Sequence, residues 1–394
     1  MADVDQQTPT SHPAASLQDE KVLKGLDTAI NSPAVVAYNI PPYSKDSSLE
    51  NATVDASKDP AKTPFLQPVS GCKPSPPAPL TSEQVTKYES LLSTVKTWTD
   101  VPDNLAAKAA RSPLTDSERM WLTKDCLLRY LRASKWVLAT AATRLQATLS
   151  WRREWGVERD TPEYISEENA TGKQAITGFD NQSRPCLYLN PHKQNTKGEE
   201  KQMHHLVFML ERCIDLMPPG QETLALLVNF KESRKGQGAS IAQGRLTIYI
   251  LQNHYPERLG KAMVQEVPWY ISFFFKAIRA FIDPMTREKL MFDAKLRDLI
   301  PPEQLLKFFD GDAEFEYEHD KYWPAFIALA NARKAEMVKR WESAGKPIGA
   351  SEAYLKGEDL VSNGGLNESM RDTAITEQKG ATAAGEAPSK SDEV

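Results

Sequence analysis

The most unusual chemistry in this sequence lies in an aromatic segment between two prolines, Pro268 and Pro284. Proline is tolerated in the first turn of a helix and discourages its continuation, so the segment predicts a helix of about four turns. Helical spacing places most of its large apolar side chains on one face: Trp269, Tyr270, Phe273, Phe274, Ala277, Ile278 and Phe281. Further apolar residues leave only a narrow polar stripe, which includes Lys276 and Arg279.

Two interpretations of this aromatic segment stay open. A helix that is apolar over most of its circumference lies either in a protein core or against lipid. Charged side chains are seldom buried without partners, whereas at a bilayer surface Lys276 and Arg279 could meet lipid phosphates while the aromatic rings enter the interface. The residues alone favour a core helix and a membrane-surface helix about equally.

Polar and charged side chains flank the aromatic segment on both sides. Glu257 lies in the block 255–261 before it, and Thr286 and Lys289 lie in the block 283–289 after it. Taken alone, Glu257 is an exposed residue near a helix end and Lys289 a strand-edge cation, a pair whose interaction is worth roughly 0 to 1 kcal/mol.

The sequence contains no nucleophile elbow, Walker loop or H-E-x-x-H pair, which argues against an enzyme.

The elements that hold these residues alternate from about residue 172 onward between short apolar runs and helical stretches. Helices are predicted at 201–217, 240–254 and 319–344. The apolar runs predict four strands: Cys186–Leu189, Leu224–Phe230, Ala262–Val267 and Leu290–Phe292. Because helices between strands favour right-handed crossovers, the sequence predicts an α/β fold with a largely parallel sheet.

Composition divides the chain into segments. Residues 1–82 are rich in Pro, Ser, Ala and Thr and predict a disordered extension, because they cannot bury enough apolar surface. The segments predicted after it are a small helical lobe over 83–160, the main α/β lobe over 165–330, a C-terminal helix over 331–355 and a disordered acidic tail over 356–394.

Overall composition excludes several protein classes. The 394 residues are 40% hydrophobic and 26% charged, as in ordinary globular proteins, and the net charge of −5 argues against a protein that mainly binds nucleic acid. No apolar run reaches the roughly 20 residues of a membrane helix, and the N-terminus has no signal-peptide pattern. The four cysteines lack metal-site spacing. We therefore expect a cytoplasmic protein without metal or cofactor that meets membranes from outside.

Several motifs in order along the chain resemble a known family. Residues 254–261, the aromatic segment, residues 281–284 and Lys289 resemble the CRAL-TRIO lipid-binding domain of fungal phosphatidylinositol transfer proteins. Residues 127–136 resemble the helical N-terminal part of that family, and residues 183–185 resemble the motif that leads into its sheet. Three further motifs are most similar to the subgroup linked to azole and multidrug resistance: residues 151–154, 205–212 and 322–325.

The resemblance implies an apolar cavity above the sheet that holds the acyl chains of one lipid. The aromatic segment would close this cavity as a gate helix and dock on membranes through Trp269, Tyr270, Phe273, Phe274, Ile278 and Phe281. Glu257 would accept hydrogen bonds from inositol hydroxyls, while Thr286 and Lys289 would hold the phosphodiester. Hiding acyl chains from water is worth on the order of 0.8 kcal/mol per CH₂, so a cavity can rival the bilayer.

The sequence departs from the family pattern at two places. Founding members carry a phosphate-binding arginine where this chain has Ser134, and Arg129 or Lys135 would be auxiliary phosphate contacts. Without the resemblance, Arg129, Arg132 and Lys135 are predicted to form a solvated helix face. Apolar cavity residues stand where choline-binding members have hydroxyl groups, which implies weak binding of phosphatidylcholine: Leu210, Leu224 and Leu226. Leu224 and Leu226 also suit an ordinary buried strand.

These expectations favour a non-enzymatic carrier of phosphatidylinositol that supplies inositol-lipid kinases and influences phosphoinositide and sterol metabolism. A sterol is a second candidate ligand, because the cavity would be strongly apolar. The alternative is a lipid-sensing module whose ligand controls the binding of a protein partner. The expected location is cytoplasmic, with peripheral association to the endoplasmic reticulum, lipid droplets or plasma membrane.

Overall fold

A computed structural model describes residues 60–65 and 67–358. The α-helices of this described part are α1 (Ser82–Lys96), α2 (Asp116–Trp121), α3 (Lys124–Ala133), α4 (Leu138–Trp155), α5 (Pro162–Ser166), α6 (Glu199–Asp215), α7 (Ile241–His254), α8 (Trp269–Ile278), α9 (Pro284–Glu288), α10 (His319–Ser343) and α11 (Glu352–Leu355). Its strands are β1 (Asp100–Pro102), β2 (Arg111–Pro113), β3 (Gln174–Phe179), β4 (Pro185–Leu189), β5 (Leu224–Asn229), β6 (Leu259–Gln265) and β7 (Leu290–Phe292).

The predicted α/β fold with a mostly parallel sheet is confirmed. The main sheet has the strand order β3-β4-β5-β6-β7, in which β4 to β7 are parallel and β3 is antiparallel to β4. The sequence patterns missed β3, whose alternation is interrupted by a bulge between Ile176 and Phe179. Gly178 lies inside this bulge at φ +70°, where a Cβ would sit 2.3 Å from the carbonyl oxygen of Gln304.

The two faces of the sheet are covered differently. Leu187 and Leu224 face a core built with α4, α6, α7 and α10, whereas Tyr188 and Leu227 face the irregular chain between β7 and α10. This alternation along β4 and β5 follows from the two-residue period of a strand. Helices therefore cover one face, and short 3₁₀ turns such as Leu296–Asp298 cover the other.

The N-terminal lobe is helical, as the sequence predicts. Helices α1, α3 and α4 pack around Leu91, Leu127 and Leu145, all of which are fully buried. Thr81 and Thr123 fix the starts of α1 and α3, because each side chain accepts a hydrogen bond from a backbone N–H in the first helical turn. No helix of the described residues is long and apolar enough to cross a bilayer.

Both ends of the described chain lie against the main body. The predicted N-terminal extension, residues 1–82, falls largely outside the described residues, but its segment 60–65 makes contacts that the composition did not predict. The backbone of Ala61 pairs with the stretch 314–316, and Phe65 packs on the far face of the sheet. At the other end, residues 359–394 of the predicted acidic tail lie outside the description.

Candidate functional site

The predicted head-group residues meet at one edge of the sheet. Glu257 lies just before β6 and Lys289 just before β7, and these two strands are parallel neighbours. The amino ends of parallel neighbours share an edge, so both side chains reach the same region. Thr286 belongs to α9, the short helix that ends at β7. The three residues thus form one candidate site at the amino ends of β6 and β7.

Glu257 is held in a particular conformation by an arginine from the N-terminal lobe. Its backbone has φ +58°, a left-handed conformation that is uncommon outside glycine. Its carboxylate accepts a hydrogen bond from Nε of Arg132, and the side chain keeps 33% of its surface exposed. The carboxylate is therefore both positioned and open to solvent, as a ligand for sugar hydroxyls must be.

Lys289 is a partly desolvated cation beside this carboxylate. Its Nζ donates a hydrogen bond of 2.8 Å to the carbonyl oxygen of Leu259. Burial lowers the pKa of Lys289, and the charges of Glu257 and Asp283 act in the opposite direction. An ammonium group can donate three hydrogen bonds, so Lys289 can still bind an anionic group from outside.

Thr286 is tied to the cap of α9. Its backbone N–H donates a 2.9 Å hydrogen bond to Oδ1 of Asp283, the residue that precedes the helix. Asp283 also accepts a 2.9 Å hydrogen bond from the amide of Gln252 in α7. Burial opposes ionisation of Asp283, but these hydrogen bonds hold the pKa of its carboxyl below the ordinary value. The cap joins the candidate head-group site to α7.

The basic residues of α3 do not form the solvated face that the charge pattern predicted. Arg129 is 3% exposed and pairs with Glu222 and Glu352. That prediction is therefore wrong for Arg129. Lys135, which follows α3, is exposed at φ +50°. Ser134 is buried at the end of α3, and its Oγ has no hydrogen-bond partner among the described residues.

The aromatic segment forms α8, and the side chains on its outer face contradict the core-helix interpretation. Trp269 is 79% exposed and Phe273 67% exposed, and Phe281, in the 3₁₀ turn that follows, is also exposed. The inner face contains Ile271 and Ile278, which are buried. The remaining predicted gate residues, Tyr270 and Phe274, are half-buried. The helix therefore presents large apolar groups to solvent beside the exposed Lys276 and Arg279.

Helix α8 rests on α7 and is tethered at both ends. Gly244 of α7 allows close contact, because a Cβ there would lie 2.6 Å from the ring of Phe274. At the start of the helix, the hydroxyl of Tyr270 donates a 3.0 Å hydrogen bond to the carbonyl oxygen of Ser233. At the end, the guanidinium of Arg245 lies 4.5 Å from the centre of the Phe281 ring. Polar and ring contacts at its two ends and the packing of Phe274 on α7 therefore hold α8 in place.

The predicted cavity residues lie on the helix-covered face of the sheet but differ in burial. Leu210 and Leu224 are each 4% exposed and belong to the main core. Leu226 occupies the central strand between Leu187 and Ala262, yet it is only half-buried. A leucine at the centre of a sheet is normally buried, so its exposure indicates accessible apolar space on this face.

Two partly open pockets of the described chain lie away from α8. Their volumes are about 70 and 10 Å³, and no residue of α8 lines either of them. Both are far below the roughly 300 Å³ at which ligand pockets begin. The larger one is lined by charged groups such as Arg152, Glu211 and Lys356. Neither pocket is large enough to hold acyl chains.

Sequence reasoning missed two residues of the candidate site. Arg132 holds Glu257, and the carboxylate of Glu222 accepts hydrogen bonds from both Arg129 and Arg132. The three-residue spacing of the two arginines on one helix face was the available signal. Their acidic partners could not be found in this way, because Glu222 and Glu257 lie about 90 and 125 residues away along the chain.

The comparison with known proteins agrees with this architecture. The profile described as "CRAL/TRIO, N-terminal domain" matches residues 87–147, and the "CRAL/TRIO domain" profile matches residues 169–311. Phosphatidylinositol transfer protein PDR17 of Saccharomyces cerevisiae is 35% identical over 301 residues, which cover 71% of this chain and 85% of that protein. The chain belongs to the CRAL-TRIO family. The resemblance stated from the motifs is thereby confirmed.

Two other known proteins are similar to this CRAL-TRIO protein. A CRAL-TRIO domain-containing protein of Schizosaccharomyces pombe is 47% identical over 296 residues, or 75% of this chain. The chain spans only 29% of the length of that relative. A solved structure titled "Crystal structure of Sfh5" superposes with a TM-score of 0.43 at 14% identity, covering 63% of this chain and 98% of that one.

Proposed function

We propose that this chain is a non-enzymatic phosphatidylinositol carrier that exchanges one lipid with membranes. The observation that carries the proposal is the position of α8, which exposes Trp269 and Phe273 and leads into the site that contains Glu257 and Lys289. The name of the yeast relative, a phosphatidylinositol transfer protein, supports the same ligand. The carrier associates with membranes peripherally from the cytoplasm.

The two parts of the lipid bind at different places near α8. At its C-terminal end, Glu257 accepts hydrogen bonds from inositol hydroxyls, and Lys289 and Thr286 donate to the phosphodiester. Beneath the helix, the acyl chains lie along the apolar face that contains Leu226. The accessible Leu226 offers no hydrogen bond to a choline lipid, so the carrier discriminates through the inositol end.

Exchange requires that α8 open while it is in contact with a bilayer. The exposed aromatic side chains enter the interface, and Lys276 and Arg279 meet lipid phosphates. Exposing one CH₂ group of a lipid to water costs about 0.8 kcal/mol of free energy, so the acyl chains must move directly between bilayer and protein. The contacts of α8 with α7 and with the chain around Ser233 are among those that break on opening.

The head-group assignment is tested with the double variant Glu257→Ala, Lys289→Ala. Loss of a charge-assisted hydrogen bond costs about 1.5 to 3 kcal/mol, so we expect phosphatidylinositol transfer between vesicles to fall at least about tenfold. A matched control is Lys307→Ala, Glu314→Ala, an exposed ion pair on the opposite face of the sheet. Transfer by the double variant equal to that of the control, with both proteins folded, refutes the assignment.

A further inference from the structure

Six charged side chains form an unbroken chain of ion pairs that starts at the candidate head-group site. Glu257 pairs with Arg132, Arg132 pairs with Glu222 at 3.1 Å, and Glu222 pairs with Arg129 at 2.8 Å. Each of the two arginines therefore shares the same central carboxylate. This series of ion pairs runs from the half-exposed Glu257 into the interior of the molecule, where Arg129 is almost fully buried.

The buried end of this chain of charges holds the C-terminal segment 351–358. Glu352 accepts hydrogen bonds from Arg129, from Arg258 at 3.3 Å and from the hydroxyl of Thr123 at 2.9 Å. Burial opposes ionisation of Glu352, but Arg129 and Arg258 hold the pKa of its carboxyl well below the ordinary value. One anionic side chain thus anchors the segment between the two lobes.

We propose that the segment 351–358 is a latch whose attachment is coupled to the occupancy of the head-group site. This inference rests on the proposed function, because the coupling begins when the lipid phosphate binds to Lys289. That phosphate also attracts Arg132, since Lys289 and Arg132 both lie near the carboxylate of Glu257. The phosphate draws Arg132 away from Glu222. Glu222 then binds Arg129 more strongly and competes with Glu352 for the same guanidinium, so the latch loosens.

Thermodynamic linkage requires the converse effect. A weaker attachment of Glu352 leaves Arg129 free to bind Glu222, which releases Arg132 for the lipid phosphate. Glu222 is the element shared by both sites, and its side chain is 25% exposed, so replacing it is compatible with folding. Glu222 is therefore a positioning residue, not a ligand.

The test measures hydrogen–deuterium exchange of the full chain with phosphatidylcholine vesicles that either contain or lack phosphatidylinositol. The reporters are backbone amides inside the latch, where they stabilise α11. They include those of Leu355 and Lys356, which donate to the carbonyl oxygens of Ser351 and Glu352 at 3.0 Å. We expect exchange to be about fivefold faster with phosphatidylinositol, the lower end of typical couplings between sites. In Glu222→Gln this response disappears.

A second variant separates the charge network from general loosening. Leu355→Ala removes an apolar side chain that packs against Met337 and Trp341, and leaves every ion pair in place. It should speed exchange in both lipid conditions and keep the difference between them. Persistence of the response in Glu222→Gln, or its loss in Leu355→Ala, overturns the latch.

Lipid transfer measured on the same samples distinguishes the two proposals. Phosphatidylinositol transfer by the unmodified chain without any change in latch exchange overturns the latch alone. Absence of transfer overturns the proposed function and the latch with it.

Discussion

Two buried histidines are kept neutral by the fold. His254 stacks on Trp151 with 4.2 Å between ring centres, and its Nδ1 lies 3.2 Å from the hydroxyl of Thr148. His205 is 1% exposed in α6. Burial lowers the pKa of each imidazole to about 3, and the nearby cations Arg144 and Lys173 act in the same direction.

These histidines predict a loss of stability in mild acid. Their folded-state pKa values lie below the ordinary value of 6.5, so between 6.5 and about 3 the unfolded chain binds more protons than the folded one. The free energy of unfolding therefore decreases as the pH falls, by up to about 1.4 kcal/mol per pH unit for each histidine.

The measurement is urea unfolding at a series of pH values above the range in which carboxyl groups titrate. His254→Phe keeps an aromatic ring on Trp151 and removes one titrating group, so we expect its pH slope to be smaller by up to about 1.4 kcal/mol per pH unit. An unchanged slope in His254→Phe would show that the imidazole is protonated in the folded protein.

At the scale of single elements, the sequence predicted where α8 lies but not which of its faces is buried. The two prolines and the run of aromatic residues delimit the helix, which begins at Trp269 after Pro268. Large apolar groups occur all around it, so periodicity could not show that Ile271 and Ile278 are buried while Trp269 is exposed. That choice depends on the packing of α8 against α7.

Local sequence patterns also explain which other elements were predicted and which contacts were not. Strands β4, β5 and β7 are continuous apolar runs and were predicted nearly to the residue. Strand β6 begins at Leu259, three residues before the predicted start, because Gly260 and Lys261 interrupt its apolar pattern. The Arg132–Glu257 pair joins positions 125 residues apart, and only the tertiary fold brings them together.

An aspartate introduced on the outer face of α8 should affect the protein differently from one introduced on its inner face. Phe273→Asp removes an exposed ring, so we expect an unchanged melting temperature with vesicle association and lipid transfer reduced at least about tenfold, since burying a phenylalanine in an interface is worth about 1.5 to 3 kcal/mol. Ile278→Asp is the matched change on the inner face. It should lower the melting temperature, because it buries an unpaired charge.

Vesicle co-sedimentation and thermal unfolding of both variants check this expectation. Equal destabilisation by Phe273→Asp and Ile278→Asp would show that α8 is a structural helix on both faces. Normal vesicle binding by a folded Phe273→Asp protein would remove the outer face of α8 from membrane docking.

Considered as a whole, the molecule separates a face of the sheet that packs against irregular chain from a face that contains the half-buried Leu226. On the far face, Phe65 of the N-terminal segment packs against the irregular chain that also buries Leu305 and Phe309. The backbone N–H of Phe65 donates a 3.0 Å hydrogen bond to the hydroxyl of Thr177 in β3. On the near face, Leu226 is only half-buried and the outer face of α8 is exposed.

This separation predicts opposite effects for one substitution on each face. Phe65→Ala removes apolar contacts behind the sheet, so the free energy of unfolding should fall by about 1 to 3 kcal/mol, less than for a fully buried phenylalanine. Lipid transfer at a temperature where the variant is folded should not change. Leu226→Trp fills the accessible space on the near face and should reduce transfer severalfold, with little loss of stability because the side chain has room there.

Chemical denaturation and vesicle transfer assays on both proteins test the separation. If Leu226 instead packs in a closed core, Leu226→Trp overpacks it and lowers stability by about 1 to 3 kcal/mol while any remaining folded protein transfers lipid normally. That result would place the acyl chains outside the near face, because a bulky ring on the central strand cannot share its space with a lipid. A transfer defect in Phe65→Ala would show instead that the two faces are mechanically coupled through the sheet.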